Sequence, residues 1–187
     1  MESGDTIQGI TRVDLESRGQ WRRRMWWWLG GPIILSKTAM THVWPKINRL
    51  EAPLIKATGG RLKLSANLPM VVLTSVGARS GEHREVPLAY FTDGDDVILV
   101  ASNYGGARHP AWYHNLRAHP QCELYIGPRG GSFLAREVVG ADRDRLYELA
   151  VDRLSNVFAL HDKRSGEAWT IPVMRLTPLD EASSTQT

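Results

Sequence analysis

The sequence predicts a mainly β domain of the α+β class, a small closed or half-open barrel of mostly antiparallel strands with peripheral helices and a helical N-terminal extension. Three observations carry this. From Arg61 onward, seven short apolar runs are separated by turn signals: RLKL, MVVLTSV, REVPLAYFT, DVILVAS, CELYIG, SFLAREVV and TIPVMRL. Their lengths and bounding residues are those of strands. Asp93-Gly94 and the GPRGG segment at 127–131 lie between successive runs, where glycine takes the positive φ of a tight hairpin turn, so most neighbours are antiparallel. Only two helical patterns interrupt the strands, too few for the alternation that builds a parallel sheet.

Each element has its own justification. The chain has 187 residues, 42% of them hydrophobic and 23% charged, which suits one packed domain with appendages. The first residues are acidic and polar, without the pattern of a secretory signal. The run MWWWLGGPIIL is shorter than the roughly 20 apolar residues that span a bilayer. In WRRRMWWWLGGP, arginines precede Trp26, Trp27 and Trp28. Such a cluster suits a lipid headgroup boundary, and equally a groove on the domain core or on a second copy of the chain. Pro32 ends a first helical stretch. A second, from about Ser36 to Lys56, carries Val43, Ile47, Leu50 and Leu54 at helical spacing. Residues 1–58 are thus read as a helical extension, 59–180 as the barrel domain and 181–187 as a frayed tail. Within the barrel, one helix runs from Pro110 through Ala118 with proline at an early position. Another follows Ala141, with Leu146, Leu149, Ala150, Arg153, Leu154 and Val157 as its stripe.

Charge narrows the function. There are 23 basic and 20 acidic side chains, a net charge of +3, with much of the excess at Arg18, Arg22, Arg23 and Arg24. Local basicity of this kind, without an aromatic-basic reader module, argues against a nucleic-acid binder. Cys122 is the one cysteine, which excludes an internal disulfide and a cysteine-based zinc cluster and fits a reducing cytoplasm.

Two stretches carry chemistry. In GARSG, glycines at 77 and 81 allow close backbone approach. Turn amides, the Ser80 hydroxyl and the Arg79 fork suit an anion, and Arg84 follows in the opening of the next strand. The pattern is neither a P-loop nor a dinucleotide fingerprint, and most turns of this composition are only turns. Further on, NYGGARHPAWYHNLRAHP combines a Gly-Gly loop, a helix start and a group of aromatic and imidazole side chains. Trp112, Tyr113 and Asn115 suit a flat ligand, although Trp112 and Leu116, four apart, also read as the buried face of a short helix. His109, His114 and His119 are five apart and share no helical face, so no zinc site is assigned. His114 reads as a ligand-edge or solvated histidine. With no nucleophile elbow, HExxH motif or paired acid and base, an enzyme of this sequence would rely on a cofactor for its reactive centre.

Taken in order, LTSVGARSGEHREVPLAYFTDGDDVILVASNYGGARHPAWYHNLRAHPQCEL resembles the deazaflavin-dependent nitroreductase family of actinobacteria, whose motifs run G-R-x-[ST]-G-x-x-R-x-x-P-L, then A-S-x-G-G, then P-x-W-Y-x-N-L. The resemblance covers about Gly59 to Pro178. It implies a split β-barrel and coenzyme F420, an 8-hydroxy-5-deazaflavin with a phosphate and an oligoglutamate tail. By the same resemblance, Ala78, Arg79, Ser80 and Arg84 bind phosphate and tail. Val86, Pro87 and Leu88 with Val100, Ala101, Ser102 and Asn103 line the ring and ribityl chain, and Ala111, Trp112, Tyr113, His114 and Asn115 complete the cofactor set. The hydride chemistry belongs to the cofactor, so no catalytic side chain is assigned; Ser102 is a ring or substrate contact.

Departures from the family pattern shape the expected substrate. Where characterised nitro-prodrug reductases carry tyrosines, this chain has Ala89, Val157 and Leu160, and Tyr90 falls on the opposite strand face. The family's lysine in the A-S-K-G-G loop is Asn103. The missing tyrosines imply an apolar pocket and a lipophilic quinone or enone acceptor, and Asn103 implies weaker contact with anionic parts of the cofactor. The family's frequent membrane association adds weight to Trp26–Trp28 as a peripheral membrane contact. The leading expectation is an F420H2-dependent oxidoreductase. A flavin mononucleotide (FMN) enzyme of the same barrel and a non-catalytic carrier of a deazaflavin or lipophilic ligand are the alternatives.

Overall fold

The computed structural model describes residues 6–15, 68–103, 108–154 and 170–179. They form β1 (Thr6–Ile7), β2 (Ile10–Thr11), β3 (Met70–Val76), β4 (His83–Asp93), β5 (Asp96–Val100), α1 (Ala111–Ala118), β6 (Gln121–Ile126), β7 (Arg129–Val138), α2 (Gly140–Leu149), a π-helical turn (Ala150–Leu154) and β8 (Val173–Pro178). Strands β3 to β8 close into a barrel in the order β3-β4-β5-β8-β7-β6, every neighbour antiparallel.

Turn chemistry fixes the register. Asp93 pairs with Asp96, leaving Gly94-Asp95 as a two-residue loop with Gly94 at φ +60°. Ile126 pairs with Arg129 around Gly127-Pro128, with Gly127 at φ +64°. Both expected hairpins are therefore present, the first with Asp93 still inside the ladder. Closure rests on β8, which pairs with β5 on one side and β7 on the other. It begins three residues later than the TIPVMRL run. Its first four residues are all buried, because one face fills the barrel and Arg175 on the other reaches to α2. The RLKL run and the tryptophan cluster lie outside the described residues.

The N-terminal ten described residues depart from the expected helical extension. Gln8 at φ +46° and Gly9 at φ +80° reverse the chain between β1 and β2, and Ile7, Ile10, Val13 and Leu15 enter the main core. Apolar residues three apart suit one face of a helix as well as a hairpin that folds back on itself. The tie to the barrel is polar and specific. Gln8 Nε2 donates to the Leu179 carbonyl at 2.5 Å, Tyr90 donates to the Thr11 carbonyl at 2.9 Å, and Val13 and Thr92 bond each other through main and side chain. Arg12 meets the Gly94 carbonyl and the Asp95 carboxylate.

Register also sorts the two ends of the barrel. The β4–β5 and β6–β7 turns, the end of β8 and the β1–β2 hairpin share one end. The β3–β4 turn, the end of β5 and the start of β8 share the other. Along the outer face, Arg175 of β8 bonds Asp93, Asp96 and Asp142, while Arg145 of α2 bonds Asp93 and Asp142. This cluster fastens α2 to the β4–β5 hairpin.

Candidate functional site

The β3–β4 turn is built by its own hydrogen bonds. The Gly77 N–H donates to the Glu82 carbonyl and the Gly81 N–H to the Gly77 carbonyl, both at 2.8 Å, and the Glu82 N–H donates to Ser80 Oγ at 3.3 Å. Gly81 takes φ +68°, which favours glycine. Ala78, Arg79, Ser80 and Arg84 are exposed. Expected as free anion donors, the amides of Gly77, Ala78, Gly81 and Glu82 are instead engaged inside the protein. The turn spends these amides on its own closure and on Asn115, which leaves Arg79, Arg84 and the Ser80 hydroxyl as exposed groups able to meet an anion. Arg84 is 2.5 Å from the Glu82 carboxylate, with both side chains more than half exposed. Such a pair is worth little in water and yields readily to a phosphate.

Helix α1 stands beside this turn. Pro110 caps it in extended conformation, and Trp112, Tyr113, Asn115 and Leu116 are buried. Trp112 and Leu116 thus form the inward face, while Ala111 and His114 face outward. Asn115 Oδ1 accepts from the Ala78 N–H at 3.0 Å, joining helix to turn. His109, outside the helix, folds back so that its ring lies 4.8 Å from that of Tyr113 and 5.9 Å from that of His114. Burial first and the neighbouring His114 second lower the His109 pKa. Tyr113 donates to Glu137 of β7 at 2.8 Å; burial and then this carboxylate push the phenol pKa up. Buried Cys122, its thiol pushed up to about 12 by desolvation, is not poised as a nucleophile.

The strand residues divide between two faces. Val86 and Leu88 lie opposite Leu73 and Val71, which belong to the main core. Pro87 and Ala89 lie opposite Val72 and Met70, which form a second small apolar cluster. Strand alternation therefore prevents one flat ligand from meeting the side chains of Val86, Pro87 and Leu88 together. At the end of β5, Val100 is half-buried and Ala101 buried, the latter donating its N–H to the Pro172 carbonyl. Ser102 and Asn103 are half-buried. Asn103, at φ +42°, donates from Nδ2 to the Arg108 carbonyl at 2.8 Å and so ties the ends of the loop leading to α1. Tyr90 lies inside the core, across the strand from Ala89. Val157 and Leu160, the expected substrate side, lie outside the described residues.

The structure thus brings together Ala78, Arg79, Ser80, Arg84 and Asn115 at one barrel end, with Val100–Asn103 and the start of α1 at the same end. Sequence reasoning missed Ser75, Glu82 and Glu137. Ser75 sits in an ordinary strand run, and Glu137 meets its partner from 24 positions away. Glu82 had one signal, its place two residues from Arg84. Two exposed guanidinium groups and a hydroxyl on a braced turn, next to apolar strand ends, fit a cofactor with an anionic tail and a flat ring.

Comparison with known proteins gives this site a context. The sequence model of the F420H(2)-dependent quinone reductase family matches residues 47–178. An F420H(2)-dependent quinone reductase of Mycobacterium tuberculosis is 32% identical over 147 residues, which are 76% of this chain and 97% of the relative. A second, putative quinone reductase of that organism is 35% identical over 114 residues, covering 59% and 91%. A solved F420-H2 dependent reductase (FDR-A) is 32% identical with a TM-score of 0.52, over 58% of this chain and 93% of its own. A structure described as a domain-swapped dimer is 29% identical with a TM-score of 0.54, over 72% and 97%. With a six-stranded barrel, an arginine-bearing turn and a family match that spans both, the chain belongs to the F420H(2)-dependent quinone reductase family.

Proposed function

We propose that the protein oxidises reduced coenzyme F420 and reduces a quinone, with Arg79, Ser80 and Arg84 holding the anionic tail of the cofactor. Within a chain of this family, the observation that carries the residue assignment is the exposure of those three side chains on one internally bonded turn. When bound, the reduced deazaflavin supplies a hydride; with one proton it converts a quinone to a hydroquinone.

The chain's own residues bind and orient. Arg79 and Arg84 supply charge-assisted bonds to phosphate, and Ser80 retains its O–H for donation while its oxygen accepts from Glu82. The half-buried Val100 and Ser102 offer the ring an edge with one hydroxyl. Buried Trp112 and Tyr113 hold α1 in place behind it and exclude water from the barrel side. A lipophilic acceptor is supported by Ala89, which stands with Met70 and Val72 in an apolar cluster where related nitroreductases carry a tyrosine. Peripheral membrane contact through Trp26–Trp28 rests on their composition. Among the described residues no helix is long and apolar enough to cross a membrane.

Equilibrium titration with F420, followed by its fluorescence and run in parallel with FMN, tests the cofactor. Turnover is then read as oxidation of F420H2 by menadione. F420 binding at micromolar or lower Kd, with quinone-dependent turnover, is expected. Arg84→Ala should weaken F420 about tenfold, and an unchanged Kd in the folded variant would remove Arg84 from the site.

A further inference from the structure

We propose that Asn115 is a positioning residue for the anion turn, acting with Ser75 behind it and not as a ligand of the cofactor. This rests on the reading of residues 78–84 as the seat of the F420 tail. Asn115 is 8% exposed, and its side-chain amide is spent inward. Oδ1 accepts the Ala78 N–H at 3.0 Å, and Nδ2 makes a longer contact, 3.5 Å, to Ser75 Oγ. The donor at Ala78 fixes which way the amide is turned, since only the oxygen can accept that N–H. The main chain of Asn115 also works, its carbonyl accepting the His119 N–H where α1 ends.

Ser75 gives the brace its footing. It is 2% exposed, so it cannot touch a ligand at the surface. It pairs with Arg84 on β4 and with Cys122 on β6. One amide therefore ties three things together: helix α1, the β3 strand position directly opposite Arg84, and the first residue of the turn that carries Arg79 and Ser80. A turn fixed at Ala78 presents its two neighbours in a set direction. Released, it exposes an unbonded amide and samples several directions, and the loss appears as weaker binding of whatever those side chains hold.

The consequence is selective. Removing the brace should weaken a ligand with a phosphate and tail, and leave nearly untouched one that presents only the ring and ribityl chain. The test measures Kd for F420 and for its phosphate-free 8-hydroxy-5-deazaflavin nucleoside in the wild type, Asn115→Ala and Ser75→Ala, with melting temperatures recorded to establish folding. The wild type is expected to prefer F420. Asn115→Ala should cut that preference about tenfold and Ser75→Ala about threefold, each with little change for the nucleoside. Equal weakening of both ligands by Asn115→Ala, with Ser75→Ala unchanged, would mean direct contact with the ring and would overturn the positioning role. Wild-type preference retained in both variants would also overturn it. A wild type that binds both ligands equally would remove the anion seat, and one that binds neither would overturn the deazaflavin reading itself.

Discussion

A Cβ built on Gly77 falls 2.6 Å from Ser80 Oγ and 3.2 Å from the Glu82 carbonyl oxygen. The first neighbour is a short side chain that can swing away; the second is backbone inside the turn's own hydrogen bond. Gly77→Ala should therefore move Ser80 out of place, lower stability by about 1–2 kcal/mol, and weaken F420 more than the phosphate-free nucleoside. Thermal melts and the two titrations check this together, and an unchanged Kd for both ligands would show that the turn absorbs the methyl without moving its donors. Arg79, Ser80 and Arg84 were legible in the sequence because charge and hydroxyl in a glycine-flanked turn are conspicuous. Ser75 and Asn115 were not legible as a pair, since their partnership depends on α1 packing beside the turn, 40 residues further along. The same holds for His109, which looked isolated at five-residue spacing until the chain entering α1 laid its ring beside Tyr113.

Among the elements, the strands that reach the barrel were readable from short apolar runs and their turns, because both are local properties. The ion cluster on α2 was not, since Asp93, Asp96 and Arg175 come from three different strands, join Asp142 and Arg145 of α2, and look like ordinary surface charges in the chain. Arg145 foremost, and Arg175 after it, hold the carboxyls of Asp93 and Asp142 below the usual carboxylate range. A carboxylate whose folded pKa lies below its unfolded value contributes stability above the unfolded pKa, near 4, and loses it as the pH falls through the folded one. Melting temperature should thus drop as the pH falls below about 4, and Asp93→Asn should flatten that part of the profile. Parallel profiles for the variant and the wild type would show that the cluster holds α2 no better than water would. Replacing Arg175→Met, which strips a guanidinium bonded to three carboxylates, should cost about 2 kcal/mol at neutral pH in the same melts.

Over the whole molecule, closure of the barrel and the packing at its far end are long-range facts. β8 joins β5 across more than 70 residues of chain and β7 across at least 35, and no local pattern announces that union. The β1–β2 hairpin packs at the end away from the β3–β4 turn, and its apolar side chains belong to the same core as the strands. This separation of ends predicts a separation of effects. Ile10 is fully buried at 0% exposure, so Ile10→Ala removes apolar contacts and leaves a void, at a cost of about 3 kcal/mol. In a chain of this size that corresponds to a melting temperature lower by roughly 6–12 °C. At 25 °C, where the variant is still folded, Kd for F420 should equal that of the wild type, because neither Arg79, Arg84 nor Asn115 leans on the hairpin. A weakened Kd alongside the lowered melting point would mean that strain at one end of the barrel is transmitted along β3 and β4 to the turn, and the two ends would then have to be treated as a single cooperative unit.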